Sequence, residues 1–281
     1  MKYLLYSIIT VFAVACVKPI DLDLPAYSSK LVVNGEFDSD TTISVQVSRS
    51  LPIMQASDST GYLLQNATVT IFENGTSLGN ATLFSGRYIM NKKPIAGASY
   101  DVEVSAPNYN KAKASLKMPN TIPLVVSYDS FIGFDADGFE VGQLTVSMTD
   151  DASTNNYYKF FIRYFDAGIT TWFPLELVSN DVVFLNNEKL KDGSYLFSDR
   201  TFSGKTKTLK FNIEASSVKG SPKFEVSVKT FNEDYFNYLR QTDDYSQSGN
   251  GFSNDPIILR TNVTNGLGMV GGVSNSKKIL F

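Results

Sequence analysis

The chain has 281 residues, 43% of them hydrophobic and 19% charged, which is enough apolar material for packed cores and argues against disorder. Lys plus Arg number 25 against 28 Asp plus Glu, a net charge of -3 with no basic run, which argues against nucleic-acid binding. There is no His and one Cys, Cys16, so Ser-His-Asp and Cys-His catalysis, His-ligated zinc and disulfides are excluded together. Carboxylates, Lys, Tyr and Ser are what remains for chemistry, and no cofactor is expected.

Residues 1–15 read as an export signal. Lys2 is the positive start, and Leu4 to Ala15 is apolar apart from Tyr6, Ser7 and Thr10. The run is about a dozen residues, short of the roughly twenty a spanning helix needs. Small Ala13 and Ala15 precede Cys16. This resembles a bacterial lipobox, in which the leader is cut before the Cys and the thiol and the new amine are acylated. Ala13 stands where Leu is more usual. The alternative is a plain secretory signal with an incidental Cys. Loss of Lys2 would leave a mature charge of 24 minus 28, or -4. Residues 16–28 then form a lipidated tether that Pro19 and Pro25 keep extended.

From Lys30 onward the hydrophobic period is two. Ile43, Val45 and Val47 alternate with polar neighbours, as do Ala67, Val69 and Ile71, and Tyr100, Val102 and Val104. Each set predicts a strand with one buried and one wet face, hence antiparallel sheets. Glu73-Asn74-Gly75, Ser85-Gly86 and Ala96-Gly97 mark turns. Residues 29–119 therefore read as one β-sandwich, with a boundary at Met118-Pro119.

Residues 120–281 read as a second β-sandwich. Strands are predicted around Leu144 to Met148, Leu209 to Ile213 and Phe224 to Val228. Tyr157 to Phe165 carries rings on both faces, which predicts a central strand or one facing a partner. One short helix is predicted over Glu233 to Thr242, with Asn232 as N-cap. Residues 244–256 read as a loop, and Ile257 to Leu259 and Lys278 to Phe281 as short terminal strands. The fold class is all-β: two antiparallel sandwiches, with the helix in the second.

Two stretches carry a family resemblance. Asn66 to Gly75, Ser85-Gly-Arg-Tyr88, Pro94 to Gly97, Tyr100 to Pro107 and Tyr109 resemble a transthyretin-like, carboxypeptidase-regulatory-like sandwich. Asn262 to Gly272 after Asp255-Pro256, taken with the lipobox and Asp21-Leu-Asp23, makes the mature chain resemble a Bacteroidota lipoprotein family built on a domain of unknown function. Many of its members are encoded beside TonB-dependent outer-membrane receptors. The resemblance implies a lipid-anchored outer-membrane protein with a TonB-dependent transporter as neighbour. It supplies no catalytic residue.

Candidate chemistry is thin. Asp135-Ala-Asp-Gly138 with Glu140 looks like the start of a calcium loop, but the acid falls too soon after the Gly, and a hairpin turn is the plainer reading. Asp150 and Asp151 are adjacent at a strand end, where side chains diverge, and read as a polar turn. Gly266, Gly268, Gly271 and Gly272 lack the Lys-Ser/Thr of a phosphate loop and read as a backbone corner in the second sandwich. Trp172 and Phe173 form a candidate exposed aromatic pair for a glycan or peptide, with Tyr157 on the ring-rich strand as a third candidate; core packing is the alternative for each. Asp40-Thr-Thr42 and Asp58-Ser-Thr60 resemble short O-glycosylation sites. The expectation is a non-enzymatic outer-membrane lipoprotein partnering a TonB-dependent transporter; the alternative is a glycan- or peptide-binding surface lipoprotein.

Overall fold

The computed structural model describes residues 27–52, 61–166, 168–175, 181–185, 189–190, 192–214, 223–247 and 258–280. The leader, Cys16 and Asp58-Ser-Thr60 lie outside the described residues.

In the first half the alternation becomes eight strands: β1 (Leu31–Asp38), β2 (Ile43–Arg49), β3 (Thr68–Glu73), β4 (Thr76–Asn80), β5 (Thr82–Phe84), β6 (Arg87–Met90), β7 (Ser99–Ser105) and β8 (Ala112–Lys117). Asn74 and Gly75 both take positive φ, as do Ser85 and Gly86, and these two-residue turns close the β3–β4 and β5–β6 hairpins. Strands β1, β2, β6 and β5 form one layer, and β8, β7, β3 and β4 face it. The inward residues, among them Val33, Val45, Ile71, Val102 and Tyr100, make one core.

The second half supplies β9 (Leu124–Phe134), β10 (Glu140–Thr149), β11 (Tyr157–Asp166), β12 (Thr171–Pro174), a single helical turn α1 (Val182–Leu185), β13 (Tyr195–Ser198), β14 (Thr206–Glu214), β15 (Phe224–Phe231), helix α2 (Glu233–Gln247), β16 (Val263–Thr264) and β17 (Val270–Leu280). The three-stranded sheet β14-β10-β9 packs on β11, β13 and β15. Leu144, Val146 and Met148 meet Phe160, Ile162 and Val226 there, and Phe160 stacks on Phe211 at 5.1 Å.

One long strand joins the two sandwiches. Val270 to Val273 of β17 pair in parallel with Gly35 to Asp38 of β1, and Val273 to Leu280 pair antiparallel with β15. The result is one nine-stranded sheet in the order β12-β11-β15-β17-β1-β2-β6-β5, with β13 paired on β11. Strand β16 meanwhile extends the opposite layer beside β8. A cut after residue 119 therefore does not isolate the first sandwich, because Val263 and Val270 lie in its core.

The glycine-rich motif is corrected on the same ground: Asn262 to Gly272 belongs to the first sandwich, not the second. Gly268 turns the corner at φ +108°, where a Cβ would fall 2.3 Å from the Val33 carbonyl oxygen. Gly271 and Gly272 are not in the turn but in β17 itself.

Helix α2 is longer than the sequence predicts, running to Gln247. It packs Tyr235 and Phe236 over Phe231 and Val273, on the face of the long sheet away from the β14-β10-β9 layer. Asn232 stands at the N-cap position, its carbonyl accepting the Phe236 N–H at 3.1 Å, while its side-chain oxygen accepts the Gly272 N–H at 2.8 Å. Ile258 and Leu259 form no strand, and both are exposed.

Candidate functional site

Along β11 the even positions Tyr158, Phe160 and Ile162 are buried in the core, so Lys159, Phe161, Arg163 and Phe165 face outward. Strand β12 pairs with the end of β11 and sets Trp172 opposite Phe165. The two rings meet edge-on at 5.3 Å. Two cations stand over them. The Arg163 guanidinium lies 5.7 Å from the Trp172 ring and 5.9 Å from Phe161, and the Lys223 amine lies 5.3 Å from Phe165 and 5.9 Å from Trp172. Such contacts contribute ~0.5–2 kcal/mol each.

Arg163 is held from the neighbouring strand. Its Nη2 pairs with Glu225, a carboxylate only 7% exposed, which also accepts the Ser227 hydroxyl at 3.2 Å. The Arg163 Nε is buried with no hydrogen-bond partner. Beside it opens a cleft of about 340 Å³ lined by Phe161, Pro174, Leu175, Lys159, Lys229 and Asp192, among others. Lys159 pairs with Asp192 at 2.6 Å, and Lys229 with Asp38 at 3.0 Å. Burial pushes Asp192 up, but the donors Lys159 and Ser194 outweigh it and leave the carboxyl below its ordinary range. The cleft thus mixes ring surface with fixed, paired charges of both signs, a lining that suits a ligand with apolar and polar parts.

The three sequence candidates do not come together. Trp172 lies on this outer face, half-buried. Phe173, its neighbour in a strand of period two, faces the other side and stacks on Tyr164 at 5.7 Å. Tyr157 is at the far end of β11, against Phe236 of α2 at 4.8 Å. The expected Trp172–Phe173 surface pair is therefore corrected to Trp172 with Phe165 and Phe161. The sequence reading passed over Arg163, Lys223 and Glu225; the alternate cations at 159 and 163, set between outward rings, were the available signal.

The Asp135 and Asp150 motifs are structural. The Asp135 carboxylate accepts the N–H groups of Asp137 and Phe139 at 3.0 and 2.8 Å, closing the β9–β10 hairpin. Asp150 is buried, accepting the Tyr158 hydroxyl and the Gly204 N–H, whereas Asp151 is exposed and accepts the Ser153 N–H at 2.9 Å. Asp40-Thr-Thr42 forms the β1–β2 turn, where Asp40 pairs with Lys277. Among the described residues no three His, Cys, Asp or Glu are grouped to hold a metal ion, and no helix is long and apolar enough to cross a membrane.

Fold and surface together define a double β-sandwich protein with a shared sheet that bears a ring-and-cation face. The chain belongs to the family described as Domain of unknown function (DUF4249), whose model matches residues 17–279. Among solved structures it is similar to the fibronectin(III)-like modules of Clostridium thermocellum CbhA, at 11% identity and a TM-score of 0.26, over 74% of this chain and 87% of that one. It is also similar to Escherichia coli alpha-2-macroglobulin activated by porcine elastase, at 10% identity and a TM-score of 0.21, over 73% of this chain and 18% of that one. Neither likeness says anything of function. No curated protein matches the chain.

Proposed function

We propose that the chain is a non-catalytic lipoprotein of the outer membrane, acylated at Cys16, that acts as the accessory partner of a TonB-dependent transporter. The observation that carries the reading is the polarity of the long sheet. The tether enters at Leu31, at one end of β1, and the Trp172–Phe165–Arg163 face lies at the level of the far end of β17. One pole is left for the membrane and the other for a partner. The family match gives further support, since it starts at residue 17, directly behind Cys16. Two acyl chains would make the anchoring stable, at ~0.8 kcal/mol per buried methylene. Cys16→Ser should move the protein from the washed membrane fraction to the soluble one, and purification of the tagged wild type should bring down one outer-membrane transporter in fixed proportion. A variant that stays in the membrane, or a wild type that brings down no transporter, overturns the reading.

The cleft beside Arg163 favours a second reading, in which this face binds a peptide or glycan for delivery. Half-buried Trp172 with cations over its ring suits a peptide carrying aromatic or acidic groups better than a bare sugar stack. Titrating peptides and oligosaccharides against Trp172 fluorescence separates the two ligands.

A further inference from the structure

The β9–β10 hairpin is an apolar prong. Phe131, Ile132, Phe134 and Phe139 are 52%, 45%, 66% and 53% exposed, and Phe131 packs edge-on to Phe134 at 5.5 Å. The exposure is built by a β-bulge. Asp129 pairs with Gln143 and Gly133 with Val141, so Ser130, Phe131 and Ile132 stand opposite the single residue Gly142. The close approach needs a glycine there, since a Cβ on Gly142 would fall 2.7 Å from the Asp129 carbonyl oxygen. Bulges at sheet edges re-aim side chains, and contiguous exposed apolar surface of this kind marks a contact.

Charge narrows the choice of occupant. From Leu124 to Thr149 there is no Lys or Arg, and the prong is flanked by Asp129, Asp135, Asp137 and Glu140. An anionic bilayer surface would repel that rim. Two hairpins paired about a two-fold axis would face carboxylate against carboxylate. Position argues the same way. Tyr128 packs on Phe224, which pairs with Leu280 at the end of β17, and the hairpin continues past that level. At about 3.3 Å per residue the tip lies roughly 60 Å from Leu31. Residues from Cys16 to Lys30 reach at most about 50 Å. A chain anchored at Cys16 therefore cannot stand tip-first on the membrane that holds it.

We propose that this hairpin is a docking prong for a protein partner whose receiving surface is an apolar socket ringed by Lys or Arg. The proposal rests on the reading above for the existence of a protein partner and for the anchor at Cys16.

The test places the photo-crosslinker p-benzoyl-phenylalanine at Phe134 of the full-length protein in its native membrane, with Phe84, 69% exposed on β5, as the control position. Irradiation should give one discrete protein adduct from position 134 and not from 84. The crosslinked partner peptide should carry apolar side chains flanked by Lys or Arg. Asp137→Lys with Glu140→Lys should cut the yield about tenfold or more without moving the melting temperature. No adduct, an adduct with lipid only, an adduct of two copies of this chain, or a yield unmoved by the charge reversal would overturn the proposal. If all conditions are met but the partner is not an outer-membrane transporter, the prong stands and the transporter reading falls.

Discussion

The ring of Tyr235 lies over Gly271, so close that a Cβ on that glycine would fall 2.1 Å from the tyrosine Cγ. The ring is thereby seated on the long sheet, and its hydroxyl donates to Glu36 on β1. Gly271→Ala must lift the helix from the sheet, since the neighbour is a ring among buried side chains and not a free chain end. Overpacking of this kind costs ~1–3 kcal/mol, a fall of about 2–5 °C in melting temperature for a chain of this size. Thermal unfolding followed by circular dichroism checks it; an unchanged melt would mean the helix docks without that contact.

Gly268→Ala should be destabilising for a different reason, because φ there is +108° and Val33 blocks the Cβ. Strain of this sort costs ~1–3 kcal/mol. Partner binding by the variant should recover on cooling, because the corner shapes the fold and is not itself the contact. Binding lost at every temperature with an unchanged melt would reverse that assignment.

A fragment of residues 28–119 should fail to fold alone. It lacks Val263 and Val270, whose burial contributes ~1.5–3 kcal/mol each, and it leaves β1 and β8 as open edges. Adding a peptide of residues 260–275 should restore dispersed amide signals in nuclear magnetic resonance spectra. A well-dispersed spectrum without the peptide would show that the C-terminal strands are dispensable.

Stability should fall on both sides of neutrality through one partly buried trio. Lys92 and the Tyr100 hydroxyl both donate to Glu73, holding its carboxyl below the ordinary range. Its contribution is present above pH ~4.5 and is lost as the pH falls through its lowered folded value. Burial, then the bond to Glu73, pushes Tyr100 up to about 12. Its contribution is complete below its ordinary 10.0 and is lost as the pH rises from there towards about 12. Tyr100→Phe should therefore cost ~1–2 kcal/mol at pH 7, and its deficit should shrink above pH 10. A constant deficit across pH 7–12 would remove Tyr100 from the alkaline limb.

Arg163→Met should lower stability by ~1–3 kcal/mol, less than a fully buried pair because the arginine is part-exposed, since it strands the Glu225 carboxylate. Glu225→Leu on that background should recover most of the loss. Lys223→Met should cost ~1–2 kcal/mol through the loss of its two ring contacts. Both Arg163→Met and Lys223→Met should change the emission of Trp172, the single tryptophan. An unchanged spectrum would mean that the cations do not sit over the ring.

Strand identity was legible where one face is wet and one is dry, as in Ile43 to Val47 and Tyr100 to Val104, because burial itself imposes the period of two. The Asn74-Gly75 turn was legible because few other pairs accept two positive φ values. The same period sets Trp172 and Phe173 on opposite faces, and reading them as one surface pair left it unapplied. The partnership of β1 with β17 was not legible: Met269 donates to the Asn34 side chain across 235 residues, and no local pattern encodes that distance. Gly271 looked like a turn residue because its reason for being glycine is a ring on another element. The outward set of β11 could be read only once Tyr158, Phe160 and Ile162 were known to point inward.

The parallel join of β1 to β17 ties closure of the first sandwich to strands that follow it far along the chain. Strand β1 waits for β17, so that sandwich does not close until Val263 and Val270 are free to pack. Contacts across such separations form slowly, after a large loop-closure cost. A chain stopped short of residue 270 keeps β1 as an unpaired edge with core side chains uncovered, a form open to proteolysis and aggregation. The same strand that carries the partner-facing pole thus acts as a proofreader, because only copies that include β17 close the first core.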